Sequence, residues 1–207
     1  GASPAAASTI IAATSRSRHA DRRPRLFNSD HQWNVRIEMQ ARPISFRTER
    51  YEVRTLRAED ASERYLSWYL DPKVMHPQNA PTARLTMDEL RTHIAGFNRQ
   101  KSHLLGIFDP AKKLHVGCYI LNIQPQHRIA RIHIMIGDEA YRNRGVATET
   151  TTGLIDHLFA SRGIEKVVVQ VLTSNIGFNR VMEKIGMRVE GHLKGEVIAS
   201  GGSGRLD

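Results

Sequence analysis

Residues 132–163 constrain the fold more than any other part of the chain, because they have the pattern of a strand, a glycine-containing loop and a helix. Three isoleucines at positions 132, 134 and 136 alternate with His133 and Met135, which predicts a strand with one face in the core. The loop of residues 137–147 follows. Apolar residues at helical spacing then continue to Gly163, which is placed to end the helix.

The rest of the chain predicts further strands and helices with turn signals between them. Thr86 and Glu89 form a capping box ahead of an apolar helical face. The other predicted elements are a strand at 51–55, a helix at 60–69, a hairpin of 104–108 and 114–121, a buried strand at 167–172, a helix at 178–185 and a strand at 188–198. This order predicts one α/β domain with a mixed sheet.

Composition limits the class of protein. A chain of 207 residues corresponds to a single domain with an appendage, since domains run to roughly 100 to 200 residues. No run approaches the roughly 18 apolar residues of a membrane span, so we expect no membrane insertion. We also predict a cytoplasmic location. The single Cys118 excludes an intramolecular disulfide and a paired-cysteine metal site, and we predict no metal.

Net charge points only weakly to a partner. The value of +9 favours an anionic or phosphate-bearing ligand, but the basic residues are spread along the chain without interleaved aromatics. We therefore do not expect nucleic-acid binding.

The N-terminal region differs in composition from the rest. Residues 1–43 begin with a segment rich in Ala, Ser and Arg, which buries too little apolar surface to offset its ordering entropy. We predict a disordered basic tail or a processed targeting segment over 1–43, and a folded domain over 44–207.

The loop of residues 137–147 is the candidate ligand site. A glycine at a helix entrance leaves backbone N–H groups unpaired, and the helix dipole adds positive potential there. Arg142 and Arg144 would add guanidinium groups for a pyrophosphate. The alternative is an ordinary strand-to-helix turn with solvated arginines.

The segment Arg142-Asn143-Arg144-Gly145-Val146-Ala147 resembles the acyl-CoA motif of the GCN5-related N-acetyltransferase (GNAT) superfamily. Glu165–Val169, Asn175 and Val181–Met187 follow in the order and spacing of the branch that contains ribosomal-protein N-terminal acetyltransferases (RimJ/RimL-type). The resemblance covers roughly residues 45–198. It implies a mostly antiparallel sheet with a central splay flanked by helices, the acyl-CoA N-acyltransferase fold.

The resemblance also implies the position of acetyl-CoA. The pyrophosphate would lie on the backbone amides of the residues Arg144, Gly145, Val146, Ala147 and Thr148. The pantetheine arm would pair with the backbone of Ile134, Met135 and Ile136, and Asn175 would contact it. Asn175 is equally suited to cap the following helix.

The family's usual acid and base residues are absent. Arg131 aligns where many relatives carry a Glu, and Phe178 stands where many carry a Ser. His133 shares a strand face with Arg131 and has a pKa suited to proton relay, so it is the candidate base. The alternatives are a half-exposed structural histidine, or His115 or His127 as the base.

The family layout places the acceptor amine near Trp68, Tyr69 and His76, although Trp68 and Tyr69 also suit core packing. The predicted activity is direct acetyl transfer from acetyl-CoA to a primary amine, since nothing marks Cys118 as an activated thiol. The acceptor is a small molecule or a peptide. The alternatives are a non-catalytic CoA-binding or sensing domain, a nucleic-acid or ribosome-associated module that uses the basic tail, and a protein N-terminal acetyltransferase acting on a ribosomal protein.

The family's final strand is not found after residue 198. Its absence predicts an exposed sheet edge, through which two copies would form a homodimer.

Overall fold

The computed structural model describes residues 8–14, 42–97, 99–202 and 204–206. The strands are β1 (Ser8–Thr14), β2 (Ser45–Arg47), β3 (Glu52–Thr55), β4 (Ser102–Asp109), β5 (Leu114–Gln124), β6 (Ile129–Ile136), β7 (Lys166–Leu172), β8 (Arg188–Leu193), β9 (Val197–Ile198) and β10 (Arg205–Leu206). The α-helices are α1 (Glu63–Leu70), α2 (Pro72–Met75), α3 (Met87–Ala95), α4 (Val146–Ser161) and α5 (Ile176–Lys184).

Eight strands form one sheet in the order β2-β3-β4-β5-β6-β7-β1-β8, and β9 and β10 form a separate small hairpin. Every neighbouring pair in the large sheet is antiparallel except β6 and β7. These two parallel strands pair only where Ile129–Arg131 lies beside Lys166–Val168. Beyond that point they separate, which confirms the predicted mixed sheet with a central splay.

The N-terminal strand β1 corrects the prediction of a disordered tail for residues 8–14. It lies between β7 and β8 and is antiparallel to both. Because β1 lies beside β7, β7 is not left as an exposed edge, and β8 is the edge strand at this end of the sheet. The remainder of the predicted tail up to residue 41 lies outside the described residues.

Two apolar clusters cover the two faces of the sheet. On β5, Tyr119 and Leu121 enter the cluster beneath α4 and α5, while Cys118 enters the cluster beneath α1 and α3. This alternation follows from the two-residue period of a strand, and it gives a three-layer α/β arrangement.

α3 begins where the sequence predicts, whereas α1 begins at Glu63 instead of residue 60, α5 begins at Ile176 instead of residue 178, and α2 was not predicted. The Thr86 side chain accepts a hydrogen bond from the Glu89 amide at 3.2 Å, and the Glu89 carboxylate accepts one from the Thr86 amide at 2.7 Å, so the capping box starts α3. The predicted strand at 188–198 is divided into β8 and β9. Within the described ranges, no helix combines the length and apolarity needed to cross a membrane.

Candidate active site

The separation of β6 and β7 opens a cavity of about 340 Å³ at the centre of the sheet. One wall is the end of β6, and the opposite wall is Val169–Leu172 of β7. The remaining lining residues are Lys73, Val74, Pro77, Gln78, Asn79, Arg142, Ala147, Asn175, Phe178 and Val197. The predicted cofactor strand Ile134, Met135 and Ile136 therefore lines this cavity, together with His133.

Two backbone carbonyls of the β6 wall point away from β5 towards the cavity. The Gln78 side-chain amide donates to the Ile134 carbonyl at 3.1 Å, and the Arg142 guanidinium donates to the Ile136 carbonyl at 3.2 Å. An arm carrying amide groups would pair with this edge as an added strand, after displacing Gln78 from Ile134.

The loop reaches α4 through two residues with positive φ. Asn143 has φ 58°, and Gly145, the residue that precedes the first turn of α4, has φ 78°. No side chain caps this helix. The amides of Val146, Ala147 and Thr148 thus form an uncapped helix N-terminus beside the cavity, which is a favourable site for a phosphate group.

A cluster of hydrogen bonds from the β2–β3 turn holds the first turn of α4. The Glu149 carboxylate accepts bonds from the Thr48 hydroxyl at 2.6 Å, the Arg50 amide at 2.8 Å and the Arg50 guanidinium at 2.7 Å. The same guanidinium donates to the Arg144 carbonyl at 3.3 Å. Although burial opposes ionisation, the bonds from Thr48 and Arg50 keep the pKa of Glu149 below its usual value.

The two loop arginines lie in different places. The Arg142 side chain points away from α4. Its guanidinium donates hydrogen bonds to the Gly137 carbonyl at 2.8 Å and to the Asp71 carboxylate at 3.2 Å. Arg144 is exposed and lines a second cavity with Arg50, Tyr141 and Lys112. Arg142 therefore fixes the start of the loop, and Arg144 is the loop arginine with an exposed side chain.

Asn175 has the capping role that the sequence allowed, and its position leaves the predicted cofactor contact open. Its side-chain oxygen accepts a hydrogen bond from the Phe178 amide at 3.2 Å and so caps α5, while the residue also lines the cavity. Phe178 lines the same cavity and supplies no hydroxyl there.

His133 lies on the β6 face opposite Ile132 and Ile134, as the alternation predicts. It is exposed and lines the cavity, and Arg131 on the same face is also exposed. Partial desolvation lowers the pKa of His133, and the positive charge of Arg131 lowers it further. The imidazole is therefore mostly neutral near pH 7, which is the form that accepts a proton.

A short segment after α1 covers the cavity. Asp71 caps α2 by accepting a bond from the Lys73 amide at 2.8 Å, and Pro72 follows at the first helical position. Asn79 has φ 51° and bonds to the Ile198 carbonyl at 2.8 Å and the Ser200 amide at 2.9 Å. This segment is thus tied to the C-terminal hairpin across the cavity.

The predicted acceptor residues do not line the cavity. Trp68 is buried against Tyr65 and His115, with ring centroids 5.1 Å and 4.9 Å away, and Tyr69 packs against the same cluster. The structure shows the core-packing alternative for both. The Trp68 ring lies against the residue after β6, where a Cβ on Gly137 would lie 1.9 Å from the ring. His76 is exposed, although its neighbours Pro77 and Gln78 do line the cavity.

Charge in the cavity is cationic to neutral. Among the described residues that line it, Lys73, Arg142 and His133 are basic and none is a carboxylic acid. Lys73 bonds to Glu139 at 3.1 Å, and Arg142 is paired with Asp71. A polycation bound in this cavity would therefore find no carboxylate among the lining residues to pair with its charges.

Sequence reasoning missed Gln78, the cluster around Glu149, and β1. The Asp71-Pro72 pair is a helix-start signal that would have placed α2 and the covering segment. Nothing local indicates that Thr48 and Arg50 reach Glu149, because their contact depends on how β2 and β3 pack beside α4.

A sheet that opens between two parallel strands beside an uncapped helix N-terminus defines an acyl-CoA N-acyltransferase fold. Residues 50–188 match the family model described as an acetyltransferase (GNAT) domain. The chain therefore belongs to the GNAT acetyltransferase family.

Comparison with individual proteins supports the fold. An uncharacterized N-acetyltransferase, YnaD of Bacillus subtilis, is 35% identical over 54 residues, which cover 26% of this chain and 32% of that protein. A GNAT-family acetyltransferase from Bacillus anthracis superposes with a TM-score of 0.67 at 21% identity, covering 78% of this chain and 93% of that one. The spermidine N-acetyltransferase of Vibrio cholerae, solved with CoA and spermine, gives 0.64 at 21% identity, covering 76% and 90%.

Proposed function

We propose that the protein transfers an acetyl group from acetyl-CoA to a primary amine, directly and within a ternary complex. The observation that carries this proposal is the cavity between β6 and β7, which adjoins the uncapped N-terminus of α4. When bound, acetyl-CoA supplies an acyl group activated as a thioester.

The residues present suit this donor. The amides of Val146, Ala147 and Thr148 would hold the pyrophosphate, with Arg144 adding charge from the exposed side of the loop. The Ile134 and Ile136 backbone would hold the pantetheine arm, and Asn175 lies on the opposite wall to contact it.

His133 is the proposed base. The amine must lose a proton to become a nucleophile, and a neutral imidazole at the cavity wall can accept that proton directly or through water. Among the described lining residues there is no carboxylate to act in its place.

Direct transfer is supported by the state of Cys118. Burial raises the pKa of its thiol to about 12, so the thiol stays protonated. A buried, protonated thiol is a poor nucleophile, which argues against an acetyl-cysteine intermediate.

The charge of the lining favours an acceptor that is not a polycation. We propose an amine on a neutral or anionic carrier, such as a peptide N-terminus or an amino acid. We also propose a cytoplasmic location, since acetyl-CoA is an intracellular donor. The homodimer stays a proposal, in which two copies would pair through β8, the exposed edge strand of the sheet.

The test is a thiol-release assay with a panel of acceptors: spermidine, free amino acids, and short peptides that begin with alanine or serine. We expect turnover with at least one peptide or amino acid and a lower kcat/KM with spermidine. Preference for spermidine would contradict the assignment of the acceptor class.

A second candidate is a CoA-binding domain without turnover, which is favoured by Arg131 and Phe178 at the positions of the family's Glu and Ser. It predicts saturable acetyl-CoA binding and no thiol release with any acceptor, whereas the enzyme predicts both.

A further inference from the structure

The cavity wall on β7 depends on one neighbouring strand. β6 pairs with β7 only as far as Val168, so Val169–Leu172 face the open cavity on that side. On the other side, the same four residues pair with Ser8–Ile11 of β1. Within the described ranges, β1 is therefore the only strand paired with the part of β7 that lines the cavity.

The C-terminal elements depend on the same strand. β8 joins the sheet through β1, with Ile10 beside Gly191 and Ala12 beside Arg188. The hairpin after β8 carries Ile198, whose carbonyl is bonded by Asn79 of the covering segment. Removal of β1 would thus release one wall of the cavity and the attachment of its cover.

The contacts of β1 are those of a core strand. Ile11 is 2% exposed and belongs to the same cluster as Val167, Val169 and Val171, and Ala12 is 4% exposed. β1 pairs with β7 along Ser8–Thr14 and with β8 along Ser8–Ala12, with a register shift between Ile10 and Ile11, so the backbone of Ser8–Ala12 faces a neighbouring strand on both sides. Such a groove recognises an extended segment by ladder hydrogen bonds and by the size of alternate side chains.

Covalently, β1 is remote from both of its partners. Residues 15–165 separate it from β7, and no hairpin turn joins it to β8. Its position is maintained by pairing and packing rather than by a short connection.

We propose that the groove between β7 and β8 is a binding site for an extended peptide, and that Ser8–Thr14 occupies it as a separable ligand that completes the cavity. The prediction for acetyl-CoA rests on the proposed function, whereas the prediction for peptide binding does not.

The test begins with the full chain carrying a protease site within residues 15–41, cut after folding. We expect the cut wild-type protein to retain its N-terminal fragment during gel filtration. Cut protein carrying Ile11→Asp should release its fragment during gel filtration. The remaining protein should then bind a fluorescent wild-type peptide of residues 1–14 in an anisotropy titration, and its thermal stability should recover when that peptide is bound. Peptides carrying Ile11→Asp or Ala12→Pro are the controls, since the first places a charge in the core and the second removes a ladder N–H.

Acetyl-CoA affinity supplies the functional readout. We expect Kd for acetyl-CoA to rise at least tenfold in the cut Ile11→Asp protein and to return when the wild-type peptide is added. If that protein unfolds, refolding on addition of the wild-type peptide supports the proposal, and failure to refold contradicts it.

Two results would overturn the inference: equal binding of the wild-type and Ala12→Pro peptides, or a cut wild-type protein that loses its fragment and keeps its stability. If the uncut chain does not bind acetyl-CoA, the proposed function fails, while the anisotropy titration still tests the groove.

Discussion

The two walls of the cavity are supported in different ways. β6 is paired with β5 along its whole length, from Ile129 beside Gln124 to Ile136 beside Gly117, and a short turn joins the two strands. The cavity half of β7 is paired only with β1 in the described part of the chain. One wall is therefore the product of a local hairpin, and the other depends on a strand from the opposite end of the sequence.

This difference indicates that the β7 wall is more easily destabilised by mutation than the β6 wall. A hairpin forms with a small loop-closure cost, whereas a strand supplied across a long stretch of chain is held only by the contacts it makes. We expect perturbation of β1 to loosen Val169–Leu172 and to leave Ile129–Ile136 protected.

The largest expected effect is that of Ile11→Asp in the uncut chain. A charge in place of this buried side chain should lower the free energy of unfolding by about 4 kcal/mol in urea titrations. In hydrogen exchange, the amides of β7 should lose protection before those of β6. Ile198→Asp is the matched control, because Ile198 is 62% exposed. Equal loss of protection in both walls would remove the proposed difference between them.

The next prediction concerns how acid changes the free energy of unfolding through His115, which lies on β5 of the β5–β6 hairpin. Burial lowers the pKa of His115 to about 4, and its Nε2 lies 2.9 Å from the Gly117 carbonyl. Because this folded-state pKa is below the unfolded value, the unfolded chain takes up the proton first as pH falls. Stability should decrease from about pH 6.5 to pH 4, by on the order of 3 kcal/mol for this residue.

Urea titrations across that pH range measure the effect. His115→Phe removes this titrating group and should reduce the dependence, while His103, whose pKa burial also lowers to about 4, continues to contribute. Replacement of the exposed His127 in the same way is the control. An unchanged dependence in His115→Phe would show that this histidine is not responsible.

The third prediction concerns the β6 wall during catalysis. His133→Ala should lower kcat/KM about 100-fold, equivalent to about 2.7 kcal/mol, and leave the Kd for acetyl-CoA unchanged. In the wild type, kcat/KM should fall as pH drops through the lowered pKa of His133, and this acid limb should be absent in the variant. His127→Ala is the control, and a comparable loss there would favour that histidine instead.

The smallest expected effect concerns charge at the helix N-terminus. Arg50→Met leaves the Glu149 carboxylate uncompensated beside the pyrophosphate position, so Kd for acetyl-CoA should rise about tenfold. The double variant Arg50→Met/Glu149→Met should recover most of this loss. Arg91→Met breaks an exposed ion pair with Asp88 on α3 and should change nothing. A double variant that binds more weakly than Arg50→Met would contradict the charge argument.

Local signals were sufficient for much of the fold. The capping box at Thr86, the alternation through Ile132 and the glycine at 145 each depend on neighbours within a few residues, so the helix, strand and loop could be predicted. The position of β1 could not be predicted in this way. Its isoleucines and threonines favour a strand, but the pairing with β7 and β8 that stabilises it involves residues far away in the sequence.

The same distinction between local sequence signals and long-range packing applies to the candidate site. The strand-loop-helix order around Gly145 and the face of His133 follow from sequence spacing, whereas the proposed cofactor role of the loop comes from the family resemblance. The inward turn of Arg142 and the burial of Trp68 depend on where α1 and α2 pack, which spacing does not encode. Helical periodicity identified the apolar face of α1 correctly, but it could not show whether that face meets a substrate or the end of β6.

The most direct test of the account is a calorimetric titration of acetyl-CoA into the wild type, Gly145→Glu, Gly145→Ala and Gly186→Ala. Gly186 also has a positive φ, 83°, with nothing near its Cβ position, so its alanine variant measures backbone strain away from the site. We predict saturable binding to the wild type and to Gly186→Ala, an intermediate loss in Gly145→Ala, and at least about 100-fold weaker binding in Gly145→Glu. No binding to the folded wild type, or equal binding to Gly145→Glu, would contradict the assignment of the α4 N-terminus and its cavity as the acetyl-CoA site.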